Sequence, residues 1–332
     1  MSELARSTRT IFWLPLLTGI LGIAFVYSLS VGPLTMSFAD LIGVFIGQSD
    51  DPTQFAVVYK IRLPRTLLAG LVGASLSVAG AAFQAVLRNP LADPYILGVS
   101  GGAALGAVTA IWLGFSAALF LPGAAFLGAL AALALVYWVA QAHRGSSHTL
   151  ILSGVIVGSL ASALLLFLLW LSPIDQTRAA IFWLTGNLSM AEFRLLSWIT
   201  PFAVIAFLVL WAESRSLDLF TQGEETAADL GLSIGRARLT IFAAAGIMTA
   251  SVVSVAGLIG FVGLTVPHII RLLFGPAHRR LLPASALAGA AFLMFADALS
   301  RQLYAPAEIP VGVVTALLGA PFFLYLLRLN RS

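Results

Sequence analysis

From Pro94 to Ala142 the chain reads PYILGVSGGAALGAVTAIWLGFSAALFLPGAAFLGALAALALVYWVAQA, 49 residues without an Asp, Glu, Lys, Arg or His. A helix crosses a hydrocarbon core of about 30 Å with about 20 predominantly apolar residues, so this stretch is too long for one crossing and holds two. Leu121-Pro122-Gly123 supplies the expected break. Working outward, the same charge-free signature returns at 10–39, 66–87, 195–212, 239–267 and 309–327. The 332-residue chain is 60% apolar and 10% charged, against roughly 45–50% and about 25% in soluble domains. The fold class that follows is an all-α polytopic membrane protein, one transmembrane domain over 1–332.

Apolar runs between charges and Pro/Gly punctuation predict spans near 11–31, 66–87, 95–114, 117–140, 149–171, 197–213, 239–258, 259–274, 281–299 and 309–327. That is ten, or nine if 239–267 is one long tilted helix. The run after Arg6 and Arg9 exceeds the 7–15 apolar residues of a signal-peptide core, so it reads as a retained first helix. Basic residues exceed acidic ones, 18 to 14, yet form no aromatic-interleaved patch of the kind that binds nucleic acid. They read as topology signals. With the N-terminus inside, twelve basic residues fall on the cytoplasmic side; six, namely Lys60, Arg62, Arg65, Arg178, Arg194 and Arg301, fall outside. Lys60, Arg62 and Arg65 cluster at the outer mouth of the second span, where topology alone disfavours them. The chain has no cysteine, which removes disulfides, thiolate metal sites and thiol nucleophiles.

A shift of 177 residues lays Ser77-Val78-Ala79-Gly80 on Ser254-Val255-Ala256-Gly257, Pro90 on Pro267 and Gly98 on Gly275. It moves the second span onto the seventh, an odd number of crossings, so the copies (helices 2–5 and 7–10) form an inverted internal repeat, as in many transporters.

An ATP-driven transporter needs a phosphate loop of the form GxxxxGK[ST]. The sole lysine is Lys60, outside any glycine loop, so ATP, if used, binds another polypeptide. The largest polar segment, about 214–238, is amphipathic. Glu224, Glu225 and Asp229 with Ala228, Leu230 and Leu232 around Gly231 suit two short helices joined by a turn, either a docking element for a cytoplasmic partner or a solvated loop. Gly98-Val99-Ser100-Gly101-Gly102 could present a serine nucleophile, but an intramembrane protease also needs a histidine base within about 3 Å, and His143, His148, His268 and His278 all fall toward the cytoplasmic side. Small residues at a close helix crossing explain the glycines. No third ligand accompanies His143 and His148, so no metal site is expected. Asp297, Arg301 and Glu308 gather near the outer ends of the last two spans, where an ion-coupled secondary transporter would keep a proton relay and where ion pairing is the alternative.

The segment Arg62-Leu63-Pro64-Arg65-Thr66, then Gly80, Gln84, Asn89-Pro90-Leu91-Ala92-Asp93-Pro94 and Leu97 to Ala103, resembles the first half of the FecCD-type permeases. Gly260 to Arg271, His278-Arg279, Leu281-Leu282-Pro283, Ala296-Asp297, Glu308 to Thr315 and Gly319-Ala320-Pro321 resemble its later motifs. The resemblance implies the membrane subunit of a type II ATP-binding-cassette importer for a ferric siderophore, haem or cobalamin, multi-pass in the bacterial inner membrane with both termini cytoplasmic. It implies a non-enzymatic chain without a cofactor of its own, ATP and magnesium being held by an ATPase dimer below. A substrate-binding protein docks outside, and a second permease copy or a paralogue completes the pathway around a metal-chelate substrate. It further implies that Arg62, Arg65 and Arg301 face acidic groups of the binding protein, and that Glu225, Asp229, Leu230 and Gly231 engage the ATPase. Asn89 and Leu91 match one cytoplasmic gate of the family; Ser146 and Ser147 align with the second by position, where His148 departs from the small hydroxyl residue expected.

Overall fold

The computed structural model describes residues 3–329 apart from 33, 35, 49, 50, 116–118, 142–145 and 306. His143, Arg144 and Arg331 lie outside the described residues, as do the side chains of Arg6 and Arg9. All regular elements among the described residues are helical: α1 (Glu3–Ser30), α2 (Phe38–Phe45), α3 (Pro52–Val86), α4 (Val99–Trp112), α5 (Phe120–Gln141), α6 (Ser147–Leu171) and α7 (Ile174–Leu184), then α8 (Phe193–Ala212), α9 (Ser214–Gln222), α10 (Glu224–Asp229), α11 (Ile234–Ala256), α12 (Val262–Phe274), α13 (His278–Gln302) and α14 (Val311–Leu329). Seven of them, α1, α3, α5, α6, α8, α11 and α13, are long and apolar enough to cross a membrane; α4, α12 and α14 are shorter apolar helices in the places of the other three expected spans.

Residues 239–274 divide into two helices, because Gly257 (φ 69°) and Phe261 (φ 68°) both sit in the left-handed region and interrupt the helical ladder. Two boundaries differ from the sequence reading. The expected break at Leu121-Pro122-Gly123 falls inside α5, where Pro122 occupies the first turn and loses no hydrogen bond; the chain turns earlier, at Gly114 (φ 78°). The second span begins at Pro52 rather than near 66. Asp51 caps it by accepting from the Thr53 N–H at 2.8 Å, and a wider π-turn, Val57–Arg62, precedes Pro64, whose missing N–H disrupts the regular ladder. Lys60, Arg62 and Arg65 therefore ride on a helix instead of a loop. The short helices α2 and α7 lie between spans and carry no signal the spans depend on. The 177-residue shift lays 57–79 on α11, but past that pair it lays α12 over residues 85–97, a turn and a 3-10 helix, so this register does not carry on helix for helix.

The core is built around α3, of which 83% is buried in its most apolar window. It packs against α13, α11 and α12, and glycines allow the approach. A Cβ on Gly73 would overlap the Gly289 carbonyl of α13, and one on Gly80 the Gly263 carbonyl of α12. Close crossings of this kind let dispersion and backbone contacts hold helices together where no hydrophobic driving force exists. Gly102 of α4 likewise sits on the Gly128 carbonyl of α5, which is the role read for that glycine run. Gly80→Val is expected to lower the thermal midpoint of the detergent-solubilised chain by at least the about 1–3 kcal/mol of overpacking, since the obstacle is backbone and cannot rotate away. An unchanged midpoint would mean that α3 and α12 stand further apart.

Candidate functional site

At the end of the bundle where α1 stops, five charged side chains and three helix ends meet. Helix α1 has no basic residue in its last turn, so its terminal carbonyls need donors from elsewhere. Arg62 donates to the carbonyls of Leu29 (2.7 Å), Ser30 (3.0 Å) and Leu34. Arg301 donates to the carbonyls of Val31 (2.8 Å) and Ser28 (2.9 Å) and to the Ser28 hydroxyl (2.9 Å). Arg65 grips Asp297 through Nε (3.0 and 3.1 Å) and Nη2 (3.0 Å) and reaches Glu308 through Nη1 at 2.8 Å. Asp297 also faces Arg301 Nε at 3.2 Å. Asp297 is fully buried, while the Glu308 side chain is 34% exposed.

Arg62, Arg65 and Arg301 do converge, but they are 3%, 6% and 4% exposed and their donors are spent on carbonyls and carboxylates of their own chain. As placed here they form an internal clasp joining α1, α3, α13 and the start of α14. The exposed basic residues at this end are Lys60, Arg178 and Arg194. The same geometry removes the free carboxylates that a proton relay would use, since Asp297 lies between two guanidiniums and Glu308 is paired with one. The pairing reading of these residues holds.

At the opposite end, α9 and α10 form the element expected at 214–238. Its two short helices join at Gly223 (φ 115°), and Gly231 (φ 83°) closes α10 rather than standing between them. Helix α9 buries Leu217 and Phe220 completely against α3 and α13. Asp218 accepts from the His278 backbone N–H at 2.9 Å and lies 2.7 Å from its Nδ1, fixing α9 to the start of α13. Helix α10 turns the other way. Glu225, Asp229, Leu230 and Gly231 are all exposed, and Leu230 shows 57% of its surface. Leu230 thus stands exposed beside two carboxylates and a glycine turn, on an element anchored from behind.

The gate residues are divided by the structure. Asn89 folds over the turn after α3, accepting from the Leu91 N–H at 2.9 Å, and Leu91 is 44% exposed. Ser146 and Ser147, expected at a second gate, stand at the start of α6. Ser146 caps α6, accepting from the Thr149 N–H at 3.3 Å, and Ser147 is buried, its hydroxyl 2.9 Å from the Val86 carbonyl and 3.1 Å from Glu224 Oε1. A serine opening a helix serves the helix first, because its N-terminal amides lack partners. The reading from sequence did not pair Glu224, whose other oxygen lies 2.5 Å from Arg238 Nη2, nor Asp218 with His278. Among the described residues no group of three or more His, Cys, Asp or Glu is placed to hold a metal ion.

Comparison with known proteins agrees with this architecture. The model of the FecCD transport family matches residues 20–329. The chain is 42% identical over 326 residues to the ABC transporter permease protein YvrB of Bacillus subtilis (strain 168), covering 94% of this chain and 92% of that one. It is 46% identical over 277 residues to the cobalamin import system permease protein BtuC of Halobacterium salinarum, covering 83% and 74%. Among solved structures, an inward-facing conformation of a metal-chelate type ABC transporter superposes with a TM-score of 0.85 at 34% identity, covering 94% of this chain and 97% of the other.

Proposed function

Because this chain belongs to the FecCD transport family, we propose that its seven long and three shorter apolar helices form half of the pathway by which an ATP-binding-cassette importer brings a metal chelate across the bacterial inner membrane. The chain is a transport permease. A ferric siderophore is the first choice of cargo, with cobalamin and haem as alternatives of the same class. A second permease, either another copy or a paralogue, supplies the other half, and a binding protein delivers the chelate from outside. Both termini face the cytoplasm, where an ATPase dimer holds ATP and its magnesium.

The observation that carries this reading is α10. Its partner-facing residues Glu225, Asp229, Leu230 and Gly231 are exposed, while α9 behind it is tied to α3 and α13 through Leu217, Phe220 and the Asp218–His278 contact. A push on α10 is therefore delivered to the helices that hold the pathway together rather than absorbed in a loose loop. Alternating access follows: ATP binding and hydrolysis move α9 and α10, and the pathway opens to one side at a time. On the outer side, binding-protein docking centres on Arg62, Arg65 and Arg301, with the exposed Lys60, Arg178 and Arg194 around them. Exposed ion pairs contribute about 0–1 kcal/mol each, so these residues set orientation and association rate more than affinity.

Uptake of labelled ferric siderophore, haem and cobalamin in a strain lacking the gene, with the gene restored as control, tests the reading. Loss of one cargo, recovered on complementation, names the substrate. Normal entry of all three in the deletion strain, with no redundant system present, would remove the metal-chelate assignment.

A further inference from the structure

The Ser147 hydroxyl has one proton and two acceptors within reach. One is the carbonyl of Val86, the last residue of α3, at 2.9 Å; the other is Glu224 Oε1, at the start of α10, at 3.1 Å. A hydroxyl donates one full hydrogen bond at a time, so the two acceptors compete. Each belongs to a different moving part. Val86 ends the helix that leads into the turn of Asn89 and Leu91, and Glu224 opens the exposed docking helix.

The same two parts lie close together at a second place. Arg88 of the gate turn holds a left-handed backbone (φ 50°), and its guanidinium lies over Gly223, the hinge between α9 and α10, where an added Cβ would stand 3.9 Å from Nη1. A strained residue is kept only where its surroundings over-determine it, and here the surroundings include the docking hinge. Glu224 is held on its far side by Arg238 of α11, so displacing α10 draws the carboxylate along a defined line rather than letting it swing.

We propose that Ser147 and Glu224 are positioning residues that link the docking element to the cytoplasmic gate, the Ser147 hydroxyl passing between Glu224 and the Val86 carbonyl as α10 moves. With Glu224 near, the hydroxyl is shared and the end of α3 is loosely capped. With Glu224 drawn away, the hydroxyl commits to Val86 and stiffens the turn carrying Asn89 and Leu91. The proposal rests on the reading of α9 and α10 as an ATPase dock, which supplies the motion.

The test uses the absence of cysteine from the native chain. In the full-length chain in lipid nanodiscs, Leu91→Cys reports the gate turn through its rate of reaction with a maleimide, and Leu230→Cys reports the docking element. Ser147→Ala should raise the rate at position 91 several-fold, up to about tenfold, the change carried by one hydrogen bond between neutral groups. Glu224→Gln should lower that rate, and the double variant should label as Ser147→Ala alone, because without the hydroxyl the carboxylate has nothing to compete for. Position 230 should label at the parent rate throughout. Equal effects of Glu224→Gln with and without the Ser147 hydroxyl, no effect of either substitution at position 91, or parallel changes at position 230 would each overturn the link. The labelling needs neither ATPase nor cargo, so a chain that failed every uptake assay would sink the importer reading and leave this result standing on its own.

Discussion

Asp297→Ala should cost the folded chain about 3–5 kcal/mol, the range for removing one partner of a buried ion pair, and should be the most damaging single substitution at the outer end. Asp297 is fully buried and contacts both Arg65 and Arg301. Without it, Arg301 keeps its carbonyl acceptors at Ser28 and Val31, but Arg65 keeps only the part-exposed Glu308 and leaves a guanidinium interior and under-compensated. The cost arises from the charge left behind more than from the attraction lost. That distinction gives the prediction its sharpest form: Arg65→Met together with Asp297→Leu should be less harmful than Asp297→Ala alone, since it removes both ends of the pair and fills the space with apolar groups. Unfolding midpoints of the purified variants in detergent decide it. Strict additivity of the two sites, or a loss below about 1 kcal/mol for Asp297→Ala, would show that the clasp is solvated like a surface pair.

This clasp also shows where sequence reading stops. The spans were legible because the bilayer imposes a length and excludes charge, and both constraints act on contiguous residues. The long apolar helices, the polar element at 214–238 and the exposure of Glu225, Asp229 and Leu230 are properties of that local kind. Lys60, Arg62 and Arg65 stand out along the chain because they break the charge bias, and the family resemblance adds Arg301 to Arg62 and Arg65, but their environment cannot be read that way. Arg65 finds Asp297 across 232 residues and Glu308 across 243, and no pattern along the chain announces such a meeting. The same basic cluster hides the first turns of α3, since charge marks the edge of a span in a sequence, whereas Arg62 and Arg65 are turned inward. Ser147 and Glu224 meet across 77 residues; a serine before an apolar run signals a helix start, not the carboxylate it will face.

Leu230→Ala should weaken association with the ATPase by about thirtyfold or more, the about 2 kcal/mol of a hot spot, while leaving the amount of folded permease unchanged. The second half follows from position. Leu230 is 57% exposed, so truncating it creates no cavity and unties neither α9 nor α11. The first half follows from the chemistry of its surroundings. Glu225 and Asp229 are exposed carboxylates, whose ion pairs with a partner are screened by salt and gain about 0–1 kcal/mol. A large apolar side chain standing out of a polar element is the group that gains most from leaving water, and a pocket on a partner would withdraw it completely. Glu225→Gln and Asp229→Asn should therefore slow association and flatten its salt dependence, whereas Leu230→Ala should speed dissociation at every salt concentration. Titrating the purified ATPase onto the nanodisc-embedded permease separates the two effects. Should the carboxylate variants lose more affinity than Leu230→Ala, docking would be electrostatic, and α10 would steer its partner without gripping it.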